Sequence, residues 1–191
     1  MVSRLLVTAF EPFGGEEVNA SSLALEALPD RIGNWTLKKA LLPVVFGLAG
    51  ERAAALAEAW QADAVVCLGQ AGGRTLVTPE LVAINLQYAR IPDNDGNRPL
   101  DQPAVPGARE AYFATLPARR MAEAMTAGGF PAALSCSAGT YVCNDTFYRL
   151  LHRFHDTAVR VDFIHVPAAQ DLDPAVSARA IEAGLAAISE F

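Results

Sequence analysis

Short apolar runs alternate with stretches of helical spacing along this chain, and this alternation constrains the fold most. The apolar runs predict strands over residues 5–10, 35–42, 64–68, 131–135 and 159–166. The helical patterns cover about 21–28, 49–60, 118–127, 143–155 and 174–188. Strands that are apolar on both faces are typical of a parallel sheet covered by helices on both sides. The sequence therefore predicts an α/β fold, a three-layer α/β/α sandwich with a largely parallel, mixed sheet.

The size and charge of the chain narrow its class. With 191 residues the chain can bury one core, so we expect a single domain over residues 1–191. A net charge of −6 argues against nucleic-acid and anionic-membrane partners, which require clustered Lys and Arg. No apolar run approaches the roughly 20 residues of a membrane-spanning helix, and the N-terminus lacks a full signal core. We therefore expect a cytoplasmic protein.

Neither a disulfide framework nor a metal site is indicated. The chain has three cysteines, an odd number, and they form no Cys-x-x-Cys pair. His152 and His155 lie three residues apart on one predicted helix, without metal-ligand partners nearby. We therefore predict no zinc site.

Cys143 lies where the segment SAGTYVCND (137–145) is predicted to enter a helix. The unpaired N–H groups and the positive dipole end of a helix lower the pKa of a thiol towards neutrality, which favours a nucleophilic thiolate. The small residues before it permit a tight turn. The alternative is an inert buried cysteine, and this is the interpretation we favour for Cys67 and Cys136.

Two further reactive residues lie at predicted strand ends. His165 comes at the carboxyl end of a strand, where open α/β sheets gather their catalytic groups, and Glu80 follows another strand. A thiol, an imidazole and a carboxylate are the parts of a cysteine hydrolase triad. Taken singly, each has another interpretation. His165 can be a structural, hydrogen-bonded histidine, and Glu80 can be a carboxylate at a helix start.

A glycine-rich loop and two phenylalanines indicate a candidate pocket. The loop GQAGGR (69–74) fits neither the dinucleotide-binding nor the Walker pattern, so its glycines indicate a tight turn and a close backbone approach. Phe10 and Phe13 flank a Glu-Pro turn, where they either wall an apolar pocket or cap the core. The irregular segment 86–116, rich in Pro, Asn, Asp and Gly, is predicted to be functional or interface-forming.

Taken together, these segments resemble the pyroglutamyl peptidase I family of cysteine peptidases, also called pyrrolidone carboxyl peptidases. The resemblance covers nearly the whole chain. It is carried by TAFEPFGG (8–15) with Asn19, LPVVFG (42–47), VCLGQAGGR (66–74), TPE (78–80), AINL (83–86), ARIPDNDGN (89–97), AYFATLP (111–117), SAGTYVCN (137–144) and FIHVP (163–167). The order Glu80, Cys143, His165 matches that of the family triad.

The resemblance implies a single catalytic domain that removes N-terminal pyroglutamyl residues from peptides without a cofactor. It implies that Cys143 attacks the carbonyl that joins the lactam ring to the next residue and forms a thioester. His165 is then expected to move the proton and Glu80 to orient the imidazole. The oxyanion is expected to meet the backbone N–H of Cys143, with Arg90 as a contributor.

The resemblance also implies a substrate slot and an assembly. Pyroglutamate is a flat, neutral lactam that needs apolar walls and a few polar contacts. The residues expected to supply them are Phe10, Phe13, Asn19, Gln70 and Ala71. Family members commonly assemble as homotetramers, so a homo-oligomer is expected, with segment 86–116 as a candidate for its contacts.

Two departures and two alternatives accompany the resemblance. Cys136 stands where the family usually has Asn, and AAQDLDP (168–174) replaces a Tyr-Leu-Pro type of stretch. One alternative is a related thiol amidase that acts on another N-acyl or lactam substrate. The other is a non-catalytic binding domain whose GQAGGR loop holds an anion.

Overall fold

The apolar runs form the sheet at the centre of the molecule. The computed structural model describes residues 3–189. Its strands are β1 (Ser3–Phe10), β2 (Arg31–Ile32), β3 (Trp35–Leu42), β4 (Ala64–Gln70), β5 (Thr78–Pro79), β6 (Val82–Ile84), β7 (Ala111–Phe113) and β8 (Arg160–Val166). Its helices are α1 (Ala20–Ala27), α2 (Leu48–Trp60), α3 (Ala118–Ala127), α4 (Val142–Phe154) and α5 (Pro174–Ala187).

The main sheet has the strand order β2-β3-β1-β4-β8-β5. Strands β3, β1, β4 and β8 are parallel, whereas the short strands β2 and β5 pair antiparallel at the two edges. Strands β6 and β7 pair with each other in a separate antiparallel ribbon. The predicted largely parallel, mixed sheet is therefore confirmed.

Helices cover both faces of the sheet. One core lies under α1, α3 and α5 and includes Val66 of β4, while the other lies under α2 and α4 and includes Val65 of the same strand. Successive residues of a strand face opposite sides, so a continuous apolar run supplies both cores. The predicted α/β/α layering is confirmed for this reason.

Residues 131–135 do not form a strand, contrary to the prediction. They follow β5 through two isolated bridges, from Ala132 to Val77 and from Ser135 to Glu80. The partner strand is only two residues long and contains Pro79, which has no N–H for a regular ladder. Residues 131–135 are mostly apolar because they are partly buried beside the edge of the sheet.

Two other boundaries differ from the predictions. Helix α4 begins at Val142 with Tyr141 as its N-cap, so Cys143 is the second residue of the helix. The irregular segment 86–116 contains the short strand β7 near its end. Within residues 3–189, no helix is long and apolar enough to span a membrane.

The parallel strands bring their carboxyl ends to one edge of the sheet. Strands β4 and β8 run in register with Gly69 opposite His165, and β1 lies on the other side of β4. The loops that follow β1 and β4 leave from this edge. Ligand sites of open α/β sheets form at such an edge.

Candidate active site

A cavity of about 600 Å³ opens at the carboxyl ends of β1, β4 and β8. All the site residues predicted from the sequence line it, except Glu80. They are Phe10, Phe13, Asn19, Gln70, Ala71, Arg90, Cys143 and His165. Residues separated by up to about 150 positions in the chain are thus brought to one cavity.

His165 and Glu80 form a buried pair behind the cavity wall. Nδ1 of His165 lies 2.7 Å from Oε1 of Glu80. The imidazole is 4% exposed and the carboxylate is fully buried. The antiparallel pairing of β5 with β8 sets this contact, because the backbone N–H of Glu80 donates to the carbonyl oxygen of Phe163 over 2.8 Å.

The pKa values of this pair keep the carboxyl ionised and the imidazole neutral. Burial on its own would raise the pKa of Glu80, but contacts with His165, followed by those with Ser135 and Arg74, lower it below its usual value. Burial lowers the pKa of His165 and outweighs the opposite effect of the carboxylate. A carboxylate only accepts hydrogen bonds, so the neutral imidazole carries its proton on Nδ1. Nε2 is then the free basic nitrogen.

Cys143 is partly exposed in the cavity wall, in the first turn of α4. Burial of the thiol, followed by the effects of Cys67 and Glu80, raises its pKa to about 12. The prediction of a lowered pKa is therefore wrong. Arg74 and the backbone N–H of Cys143 do lower the pKa, but burial has the larger effect. The thiol is protonated at neutral pH and needs a base before it can attack.

Gly69 allows the thiol and the histidine strand to come close together. A Cβ atom added at Gly69 would lie 2.9 Å from Sγ of Cys143 and 2.7 Å from the ring of Phe163. His165 is directly opposite Gly69 in the sheet, and paired residues project from the same face. The absent side chain therefore leaves room for the thiol on the face of the sheet to which His165 belongs. The close backbone approach predicted for the glycines of the GQAGGR loop is found at Gly69, where α4 approaches β4.

We expect Gly69→Ala to displace the Cys143 thiol and to reduce kcat by about 10²-fold, because misplacing a reacting group by about 1 Å has an effect of this size. The measurement is kcat beside thermal unfolding. Gly72→Ala is the matched variant from the same loop, since no atom lies within 4 Å of an added Cβ there. Equal losses in the two variants would contradict the role assigned to Gly69.

The aromatic side chains form an apolar wall. Phe10 is buried against Phe163, with ring centroids 6.2 Å apart, and Phe13 lies 6.1 Å from the ring of Tyr141. Tyr141 also contacts Phe46 edge to face at 5.3 Å. Phe10 and Phe13 were predicted either to wall a pocket or to cap the core. Both line the cavity, and Phe10 is also a buried member of the core.

The predicted polar contacts already have partners within the protein. Oδ1 of Asn19 accepts from the N–H and the hydroxyl of Ser21 as the N-cap of α1. Oε1 of Gln70 accepts from the N–H of Ala20 over 2.6 Å. The N–H of Ala71 donates to the carbonyl oxygen of Val166. These contacts rigidify the cavity wall, and the Ala71 N–H is not free to bind a substrate.

Arg90 and two residues that sequence reasoning missed complete the surroundings. Arg90 is exposed in the cavity wall, and its role toward an oxyanion stays a prediction. Tyr141 lines the cavity, and Arg74 pairs with Glu80 over 2.7 Å. Both missed residues lie within motifs already noted, two residues before Cys143 and at the end of the GQAGGR loop. Cys136 is exposed, contrary to the prediction that it is buried.

Comparisons with known proteins show which family this chain is similar to. A family model described as pyroglutamyl peptidase matches residues 3–189. The chain is 47% identical over 166 residues to the pyrrolidone-carboxylate peptidase of Enterococcus faecalis, covering 86% of this chain and 78% of that protein. It is 41% identical to the one from Streptococcus pyogenes serotype M12, covering 98% and 93%. The solved structure of Bacillus amyloliquefaciens pyroglutamyl peptidase I matches with a TM-score of 0.93 at 35% identity, covering 99% of this chain and 98% of that one.

Proposed function

This chain belongs to the pyroglutamyl peptidase family of cysteine-type peptidases, and we propose that it cleaves N-terminal pyroglutamyl residues through a thioester on Cys143. The observation that supports this most directly is the placement of three reactive groups. Cys143 and His165 share one cavity wall, and Glu80 holds the far side of the imidazole over 2.7 Å. This arrangement has the roles of a thiol hydrolase triad.

The first half of the reaction forms the thioester. Nε2 of His165 takes the proton from the Cys143 thiol, and Sγ attacks the carbonyl carbon of the pyroglutamyl residue. The first turn of a helix has N–H groups without intrahelical acceptors, so the N–H of Cys143 can stabilise the oxyanion, with Arg90 as a second donor. The imidazolium then protonates the leaving amine as the C–N bond breaks.

The second half releases the acid. His165 takes a proton from a water molecule, whose oxygen attacks the thioester carbonyl. The C–S bond breaks, the imidazolium returns its proton to the Cys143 sulfur, and free pyroglutamate leaves. Throughout, Glu80 remains ionised and accepts the hydrogen bond from the N–H at Nδ1 of His165. The same imidazole tautomer is therefore restored for the next cycle.

The chemistry of the cavity suits a neutral lactam. The pyroglutamyl group has no α-ammonium, so it does not need a free carboxylate in the wall. Glu16 does line the cavity, but its carboxylate accepts a hydrogen bond from Nε2 of Gln70 over 2.8 Å. The rings of Phe10, Phe13 and Tyr141 provide apolar walls. Sites of this kind bind a flat ring by apolar contact and a few polar groups.

The test is release of a fluorogenic amine from its pyroglutamyl amide, beside the prolyl amide, which lacks the ring carbonyl. In reducing buffer we expect kcat/KM for the pyroglutamyl amide to be larger by roughly 10³-fold or more, because a site built for a polar group rejects its analogue by large factors. Hydrolysis of another N-acyl amide only would support the thiol amidase instead. A folded, reduced protein that hydrolyses no amide would support the binding domain.

Three further predictions concern the domain organisation, the assembly and the cellular location of the protein. A single catalytic domain over residues 1–191, a homo-oligomeric assembly and a cytoplasmic location are all expected from the sequence and its resemblance. Size-exclusion chromatography with light scattering measures the second of these directly.

A further inference from the structure

Arg74 connects two parts of the site that are distant in the chain. Its Nη1 donates to Oε1 of Glu80 over 2.7 Å and to the hydroxyl of Thr78 over 2.6 Å. Its Nη2 donates to the carbonyl oxygen of Ser137 over 2.8 Å. The Arg74 side chain is partly buried, with 30% of its surface exposed. One planar group therefore holds both the carboxylate and the loop that leads into α4.

At the first contact, Arg74 shares an acceptor with the histidine. Oε1 of Glu80 receives hydrogen bonds from both Arg74 and Nδ1 of His165, each 2.7 Å long. A fully buried carboxylate needs a charged partner to remain ionised. Arg74 supplies that charge and also fixes the direction in which the carboxylate faces the imidazole, since a guanidinium donates in a rigid fork.

At the second contact, Arg74 binds the segment that precedes Cys143 in the chain. Ser137 begins a five-residue segment that ends at Tyr141, the N-cap of α4, and contains Gly139 at a φ of +76°. Thr140 in the same segment is held by Tyr88, whose backbone N–H donates to the Thr140 carbonyl. The Arg74 contact therefore limits where the first turn of α4, and with it Cys143, can lie.

We propose that Arg74 is a positioning residue, which sets the relation between the His165 imidazole and the Cys143 thiol by holding Glu80 and the Ser137 carbonyl at the same time. This inference is built on the proposed function, since it concerns the efficiency of the same three groups. Arg74 acts through Glu80 and the loop, and makes no contact with the reacting atoms in the mechanism above.

The charge of Arg74 gives this role a measurable signature. Burial lowers the pKa of His165, and Arg74 lowers it further, against the effect of Glu80. Burial raises the pKa of Cys143, and Arg74 opposes that rise. Loss of the charge is thus expected to raise both pKa values. Further titratable groups that act on this site or line its cavity are Glu16, Cys67, Tyr88, Arg90, Tyr141 and Asp162.

The test compares Arg74→Met and Arg74→Lys with the wild-type protein, and uses Arg119→Met as the matched loss of an exposed charge. For each we measure the pH dependence of kcat/KM on the pyroglutamyl amide. In the same samples, peptide mass spectrometry follows alkylation of Cys143 by iodoacetamide, which requires no substrate. Circular dichroism and a thermal melt establish that each variant is folded.

Arg74→Met is expected to lower kcat by about 10²-fold with little change in KM, because the reacting groups are misplaced while the cavity is intact. Its acid limb should move to higher pH, since neutral His165 is the base and its pKa rises. Alkylation of Cys143 at neutral pH should become slower. Arg74→Lys should restore the position of the acid limb but only part of kcat, since a single ammonium cannot span both contacts.

The outcomes separate this inference from the proposed function. A folded Arg74→Met whose acid limb and alkylation rate match those of the wild-type protein would overturn the positioning role. If Arg74→Met does not fold, a fully active Arg74→Lys would overturn it as well. If the wild-type protein does not cleave the pyroglutamyl amide, the proposed function fails. The alkylation profiles then decide the role of Arg74 by themselves.

Discussion

Cys143→Ala is expected to reduce kcat/KM for a pyroglutamyl amide by roughly 10⁴-fold or more, with the fold intact. The alanine removes the sulfur atom of Cys143, the only thiol among the described residues that line this cavity. Cys67 cannot replace it, because that thiol is fully buried within β4 and does not line the cavity. The measurement is release of the fluorogenic amine in reducing buffer, with unfolding followed by a thermal melt.

The matched control for this variant is Cys136→Ala. Cys136 is the exposed cysteine, and its replacement is expected to leave kcat/KM within about twofold of the wild-type value, as exposed substitutions usually have small effects. Intact-mass analysis with a slowly released pyroglutamyl ester should reveal an acylated species in the control and none in Cys143→Ala. Activity that survives in Cys143→Ala would exclude this thiol as the nucleophile.

Glu80→Gln is expected to reduce kcat by roughly 10³-fold to 10⁴-fold, the size of effect seen when the orienting carboxylate of a triad becomes an amide. The glutamine keeps the shape of the side chain but presents a donor as well as an acceptor. It can therefore stabilise the wrong tautomer of His165, whose Nε2 would then carry the proton and fail as a base. It also leaves Arg74 without a charged partner at 2.7 Å.

The measurement for Glu80→Gln is kcat and KM separately, with Glu123→Gln as the control. Glu123 is an exposed carboxylate on α3, so its amide should retain full activity. Because Glu80 is fully buried, the thermal melt must accompany the kinetics. A folded Glu80→Gln with wild-type kcat would mean that the carboxylate has no part in orienting the imidazole.

The strands and helices were predictable because the local spacing of apolar residues indicates which side chains are buried. The run AVVCLG (64–69) is apolar at every position, as is typical of a strand buried on both faces. The edge of the sheet was harder to predict. Residues 131–135 have the composition of a strand, but their partner β5 contains Pro79 and cannot form a regular ladder. A local pattern carries no information about which partner a segment has.

In the candidate site, too, some features could be predicted from the sequence and others could not. The residue types that carry the chemistry were visible in Cys143 and His165, each at an element boundary. The partners of Asn19 and Gln70 were not visible, since these amides bind backbone atoms of other segments. Arg74 was missed because the Glu80 carboxylate and the Ser137 carbonyl that it binds lie six and 63 positions further along the chain.

The sequence by itself determined the layers of the fold, the family to which the chain belongs and the residue types at the cavity. Periodicity and residue type are local properties, and they decide which side chains are buried and which elements form. Only the tertiary structure decided the protonation state of the Cys143 thiol. A helix start lowers the pKa of a thiol by a modest electrostatic effect, whereas burial, which depends on the approach of α4 to Gly69 in the folded chain, raises it to about 12.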